Sequence, residues 1–170
     1  MVRGRHACYP REMSRSYAYV GPERIREAAR SEPPGLRLDG PEAVQRFLAT
    51  NPDARITGAT FTVDLDGWLL VAPRRSEHVA CASGARVLAA GEMIFSEGRV
   101  VSVTNQSTGY CPDPACWPAM AEALARAGLP APDGWTTACV FRVCTCGQVN
   151  LVKDGWFVCA VCGAGLPENP

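Results

Sequence analysis

The sequence predicts an α+β fold. Apolar residues recur at helical spacing before residue 50 and between residues 113 and 128, and the period changes to two from Thr57 to Val103. Near the end, two short cysteine pairs are separated by the twelve residues between Cys146 and Cys159. These observations predict an antiparallel β-meander with two or three helices, followed by a small module organised by its cysteines. The expected divisions are an Arg-rich segment over 1–21, an α+β core over 22–138 and the cysteine module over 139–170. A chain of 170 residues has room for one sizeable core and a small appendage.

Tyr17–Val20 reads as a short strand, and Gly21-Pro22 opens a helix to Arg30, proline suiting the first helical position. A second helix is expected over Pro41–Thr50, where Val44, Phe47 and Leu48 share one face. Phe61, Val63 and Leu65 then alternate with Thr60, Thr62 and Asp64; Asp66-Gly67 supplies a turn, and Trp68–Val71 returns as the partner strand. A second hairpin joins Glu92–Ser96 to Arg99–Val103 through Glu97-Gly98. Between the hairpins, the alanine- and glycine-rich stretch from His78 to Gly91 is expected to be a strand with tight bends. A further helix begins at Asp113-Pro114 or Trp117-Pro118 and stops at Gly128. Leu129–Gly134 is the nearest thing to a linker, and Thr136–Val143 reads as a strand running into the cysteines.

The composition is that of an ordinary globular chain, with 47% apolar and 20% charged residues and a formal net charge of zero. No global field therefore draws it to a polyanion. Charge is uneven locally: residues 1–30 hold seven arginines against Glu12, Glu23 and Glu27, and read as a solvated arm. Met1–Pro10 lacks the apolar stretch of a signal peptide, and no run is long enough for a membrane helix. The expected setting is cytoplasmic, without membrane association. Thiols stay reduced there, so cysteine pairs are read as metal ligands before disulfides.

The module at the end reads C-x-C-G and then C-x-x-C-G, made of Cys144, Cys146, Gly147, Cys159, Cys162 and Gly163. Four thiolates on two facing turns suit the tetrahedral geometry of Zn2+, and glycine after each pair lets backbone N–H groups turn toward sulfur. The spacing predicts a zinc ribbon with structural Zn2+ held by Cys144, Cys146, Cys159 and Cys162. The first pair is one residue shorter than C-x-x-C, which leaves Cys139 as an alternative to Cys144. Val149–Val152 and Trp156–Val158 flank Lys153-Asp154-Gly155 and are expected to pair as a hairpin, with Trp156 and Phe157 packing on Phe141 or standing exposed as contact anchors. Catalytic zinc is not expected, because no histidine follows His78 to build an open site.

In the middle of the chain, His78, Gly84, Ala89-Ala90-Gly91, Gly98, Ser107, Tyr110 and Pro112 form a spaced constellation covering about a fifth of the sequence. It resembles a segment of plant IQ-motif calmodulin-binding proteins and of bacterial effector-like proteins, which runs H-S-S-F-x-A-G, A-A-G and S-G-H-Y-x-P. Val79-Ala80-Cys81 stands where that segment has serines and phenylalanine, and Thr108-Gly109 where it has glycine and histidine. No established activity comes with the resemblance, and it implies an architectural role for the residues that match.

Two functional readings follow. One is a binding or adaptor protein with a protein partner. Nucleic acid is the weaker partner, because residues 139–170 offer Arg142 and Lys153 against Asp154 and Glu168. The other is an enzyme, such as an effector, toxin or defence component, with a polar cleft around the candidate catalytic residues His78, Glu92, Ser107 and Tyr110. Cys111 is added as a candidate nucleophile that His78 would activate.

Overall fold

A computed structural model describes residues 15–169; the expectations for residues 1–14, including most of the Arg-rich segment, lie outside the described residues. The fold is α+β. Its helices are α1 (Glu23–Arg30), α2 (Pro41–Thr50), α3 (Ala54–Thr57), α4 (His78–Cys81) and α5 (Trp117–Arg126), with a 3-10 turn at Pro114–Cys116. The strands are β1 (Leu36–Arg37), β2 (Ala59–Val63), β3 (Leu69–Pro73), β4 (Ala89–Ser96), β5 (Arg99–Thr104), β6 (Val140–Val143) and β7 (Val149–Val152). They form an antiparallel five-stranded sheet in the order β1-β3-β2-β4-β5 and a separate two-stranded sheet of β6 and β7.

Both expected hairpins are present, as β2–β3 and β4–β5, but they are not joined as a simple meander. β4 pairs with β2 rather than with β3, so β3 and β4 run parallel with β2 between them. The connection over residues 74–88 must therefore cross β2, and parallel strands require such a crossover. This is why His78–Gly91 is not the bent strand that its composition suggested. Its first residues form α4, Ser83 and Gly84 turn the chain at φ 49° and 72°, and only Ala89 onward is extended.

β2 is buried along its whole length, because both faces of the sheet are covered. On one face, Phe61 stacks on Trp135 at 6.4 Å, and Trp135 meets Trp117 of α5 edge-on at 4.9 Å. On the other, Thr62 Oγ1 lies 3.6 Å from Cys81 Sγ of α4, and α1 packs on α4. Burying Thr60 requires partners for its hydroxyl, and it reaches the Arg74 and Ser76 carbonyls of the crossover at 3.3 and 3.1 Å.

α2 spans the expected residues, and its buried stripe of Ala43, Val44, Phe47 and Leu48 follows the helical period. Tyr17–Val20 contributes a single bridge, Tyr17 to Val87, in place of a strand. Both proline pairs before α5 are used: Asp113 accepts from the Ala115 N–H at 2.8 Å to cap the 3-10 turn, and Trp117-Pro118 starts the α-helix. Leu129–Gly134 is not a free linker, since Leu129 is buried and the Pro130 carbonyl accepts from the Val100 N–H at 2.8 Å. Among the described residues no helix is long and apolar enough to cross a membrane.

Close approach decides one glycine. A Cβ on Gly91 would collide with the Thr104 carbonyl of β5, which cannot move without breaking the ladder. Gly91→Ala should therefore lower unfolding free energy by about 1–3 kcal/mol. Gly134→Ala, built into open space, should stay within about 0.5 kcal/mol of the parent. Urea titrations of the two variants check this, and equal effects would contradict the packing argument.

Candidate metal centre

Two turns build the centre. In the first, β6 and β7 pair from Val140↔Val152 to Val143↔Val149, so the chain between them, Cys144–Gln148, is the tip of a hairpin. Gly147 takes φ 86°, and its N–H donates to the Cys144 carbonyl at 2.8 Å. The second turn repeats the design: Gly163 takes φ 74° and donates to the Cys159 carbonyl at 3.0 Å, while Val158 and Gly165 bridge behind it. The expected pairing of Val149–Val152 with Trp156–Val158 does not form. β7 is taken by β6, and Asp154 and Gly155, at φ 53° and 69°, turn the chain from one knuckle into the other.

The turns bring the sulfurs of Cys144, Cys146, Cys159 and Cys162 within 4.8 Å of one another. The Cys144–Cys162 separation is 3.5 Å and the Cys146–Cys159 separation 3.8 Å. A tetrahedral ion with metal–sulfur bonds of about 2.3 Å places its ligands about 3.8 Å apart, so the four thiols fit a zinc-sized ion. Cys139 is outside the quartet. Its N–H donates to Asn105 Oδ1 at 2.6 Å and its carbonyl accepts from Asn105 Nδ2 at 2.8 Å, which answers the choice between Cys139 and Cys144 for the cluster.

The surrounding polar groups favour thiolate. Cys159 is pulled down to about 6, first by the Cys162 and Val161 N–H groups and then by Asn150. Cys144 is lowered chiefly by the Cys146 N–H. For Cys162, the Ala164 N–H favours the thiolate, but the sulfurs of Cys144, Cys146 and Cys159 outweigh it and push the group up to about 12. Hydrogen bonding to the neighbouring sulfurs thus holds the proton on Cys162, and a divalent cation among the sulfurs would take the place of that proton.

Sequence reasoning missed Asn150. Its Nδ2 donates to Cys159 Sγ at 3.5 Å and to the Gln148 carbonyl at 3.0 Å, while its Oδ1 accepts from the Ala160 N–H at 3.0 Å. It therefore ties β7 to the second knuckle and orients a ligand. An asparagine buried between Val149 and Leu151 in an apolar strand was the available signal. Arg142 was noted only as a surface cation. It is buried, and it donates to the carbonyls of Phe141, Pro167 and Glu168 at 2.8–3.0 Å, fastening the residues after Leu166 onto β6. Trp156 does not pack on Phe141: it is 71% exposed, whereas Phe157 lies against the small cluster of Cys144, Cys159 and Leu166.

Of the candidate polar groups around the central constellation, His78, Glu92, Tyr110 and Cys111 are engaged locally and Ser107 is not. His78 Nε2 donates to the Gly91 carbonyl at 3.0 Å, the only role open to it against a carbonyl, and burial holds its pKa below the usual histidine range. Glu92 pairs with Arg74; burial raises its carboxyl pKa, with the guanidinium opposing. Tyr110 is buried against Tyr19 and donates to the Ala85 carbonyl at 2.7 Å. Ser107 is 1% exposed, and its Oγ has no partner among the described residues. Cys111 Sγ donates to the Thr108 carbonyl at 3.3 Å, and burial pushes its thiol up to about 11, opposite to what a nucleophile requires.

Two consequences are measurable. A histidine whose folded pKa lies below its unfolded value gives stability that is present above about pH 6.5 and lost as pH falls through the folded value. His78→Gln, which keeps a neutral donor to Gly91, should flatten the dependence of unfolding free energy on pH as pH falls below about 6.5; an unchanged slope would contradict the assignment. At pH 7.5, Cys111 should react with iodoacetamide about two orders of magnitude more slowly in the folded chain than in urea.

No protein-family model, curated protein or solved structure matches the chain, so the resemblance of residues 78–112 rests on those residues alone.

Proposed function

We propose that the chain is a binding or adaptor protein whose segment 139–170 is a zinc ribbon with structural Zn2+, and that its partner is another protein. The observation that carries the reading is the thiol quartet, with cross-knuckle sulfur separations of 3.5 and 3.8 Å. Four sulfur ligands would complete the tetrahedron and leave no position for substrate or activated water, which supports a structural ion over a catalytic one. The chain's own contribution is to orient the ligands through the Val161 N–H and Asn150 and to secure the ribbon through Arg142.

A protein partner is supported by what the ribbon exposes. Trp156, Val161 and Val143 are 71%, 70% and 60% exposed, and tryptophan is the side chain most enriched where partners bind tightly. Lys153 is the ribbon's exposed cation, with Asp154 beside it, which does not favour a polyanion. The catalytic alternative gains no support, because His78, Glu92, Tyr110 and Cys111 have partners in the fold and Cys111 is held as a thiol.

Native mass spectrometry should find one zinc per chain. Cys146→Ser, Cys159→Ser and Cys162→Ser should each abolish it, and Cys139→Ser should retain it. Trp156→Ala should keep both zinc and thermal midpoint while losing the partner that the parent retains in affinity capture. A metal-free parent would remove the zinc reading, and capture indifferent to Trp156 would remove the proposed contact.

A further inference from the structure

A groove between α2 and the β4–β5 hairpin has the composition of a small-molecule site. One side is α2, and the other is formed by the chain after α5 and the tip of the β4–β5 hairpin. Val44, Leu48 and Leu129 line a cleft of about 530 Å³, within the range of ligand sites. It continues into a smaller one of about 170 Å³, with which it shares Leu48 and Arg55 and to which Phe95 and Glu97 are added.

Two exposed charged residues, Arg55 and Glu97, stand in the smaller cleft. Neither the Arg55 guanidinium nor the Glu97 carboxylate has an ion pair with any described residue, and neither side chain makes a hydrogen bond among the described residues. Opposite charges thus stand in one opening without being spent on the fold. Glu97 also occupies a strained place. With Gly98 it makes the two-residue turn of the hairpin, at φ 50° and 76°, where both central positions require positive φ and asparagine, aspartate or glycine is preferred. A glutamate there costs roughly 1 kcal/mol. Just before the turn, the ladder shifts register between Ile94 and Phe95, and Phe95 is buried against Phe47 at 6.3 Å. Bulges and strained turns of this kind concentrate where a fold aims side chains at a ligand.

We propose that this groove binds a free α-amino acid with a large apolar side chain. Its carboxylate meets Arg55, its ammonium meets Glu97, and its side chain enters the larger cleft over Val44, Leu48 and Leu129. The zwitterion offers each of the two free charges an opposite partner, and the neighbouring cleft accepts the apolar remainder. A simple carboxylic acid leaves Glu97 facing an anion, and a simple amine leaves Arg55 facing a cation.

The test uses the whole chain and three probes: L-leucine, 4-methylpentanoate, which lacks the amine, and 3-methylbutylamine, which lacks the carboxylate. In calorimetric titrations, L-leucine should bind at least about tenfold more tightly than either analogue. Arg55→Gln should weaken L-leucine by on the order of tenfold and leave 3-methylbutylamine unchanged. Glu97→Gln should weaken L-leucine similarly and leave 4-methylpentanoate unchanged or improved. Glu97→Asn should lose the same binding while raising the thermal midpoint, because asparagine relaxes the turn; this separates a ligand role from a folding defect. Absence of saturable L-leucine binding at about 10 mM, equal affinity for all three probes, or indifference to both substitutions would each overturn the proposal.

Discussion

The central constraint on this molecule is the complete burial of β2. Five consecutive residues, Ala59–Val63, have no face toward water, so the chain must supply a layer on each side and a strand at each edge. The rest of the topology follows from this. β3 takes one edge and β4 the other, the chain has to cross from one to the other, and α4 makes the crossing over the face that carries Thr60 and Thr62. The two threonines are the polar cost of putting a strand with alternating hydroxyls in the interior. The crossover covers that cost with the Arg74 and Ser76 carbonyls for Thr60 and with Cys81 Sγ for Thr62, so one segment both completes the topology and satisfies the buried groups.

The ribbon is governed by different physics. Its interior amounts to Cys144, Cys159 and Leu166 with a few half-buried neighbours, far too little apolar area to offset the entropy of ordering some thirty residues. Its order comes instead from polar and ionic connections: two glycine-turned knuckles, the Asn150 tie between them and the Arg142 clamp. On the proposed reading, metal–sulfur bonding supplies the remaining free energy, which in small zinc modules is on the order of 10 kcal/mol. Hydrophobic burial thus organises the main sheet, and side-chain hydrogen bonding organises the ribbon.

What was legible in the sequence divides along the same line. α2 and the two hairpins were readable because period and turn chemistry are local, as with Asp66-Gly67 and Glu97-Gly98. The quartet was readable because ligand spacing is local to each knuckle. The strand order was not, since nothing near β4 says that it will pair with β2 rather than β3; that choice is made by which arrangement buries Ala59–Val63. The same applies to α4, whose Val79 and Ala80 suit a strand or a helix until the crossover demands a helix. His78, Glu92 and Tyr110 invited a catalytic reading by residue type alone. Their partners are the Gly91 carbonyl, Arg74 and the Ala85 carbonyl, and a backbone carbonyl's position is invisible before folding. The attachment of Asn105 to Cys139, 34 residues away, is purely tertiary and has no local signal.

That attachment has a mechanical consequence. One amide side chain imitates a strand neighbour, engaging both the N–H and the carbonyl of Cys139 while its amine also reaches the Pro112 carbonyl. Because Cys139 immediately precedes β6, the ribbon leaves the main body from a bolted root rather than from a swivel. Anything gripping Trp156 would then pull on the end of β5 and on the loop that begins α5, and a load applied at one extremity would reach the middle of the molecule through Asn105 and through the Thr136 and Thr137 contacts with β5 beside it.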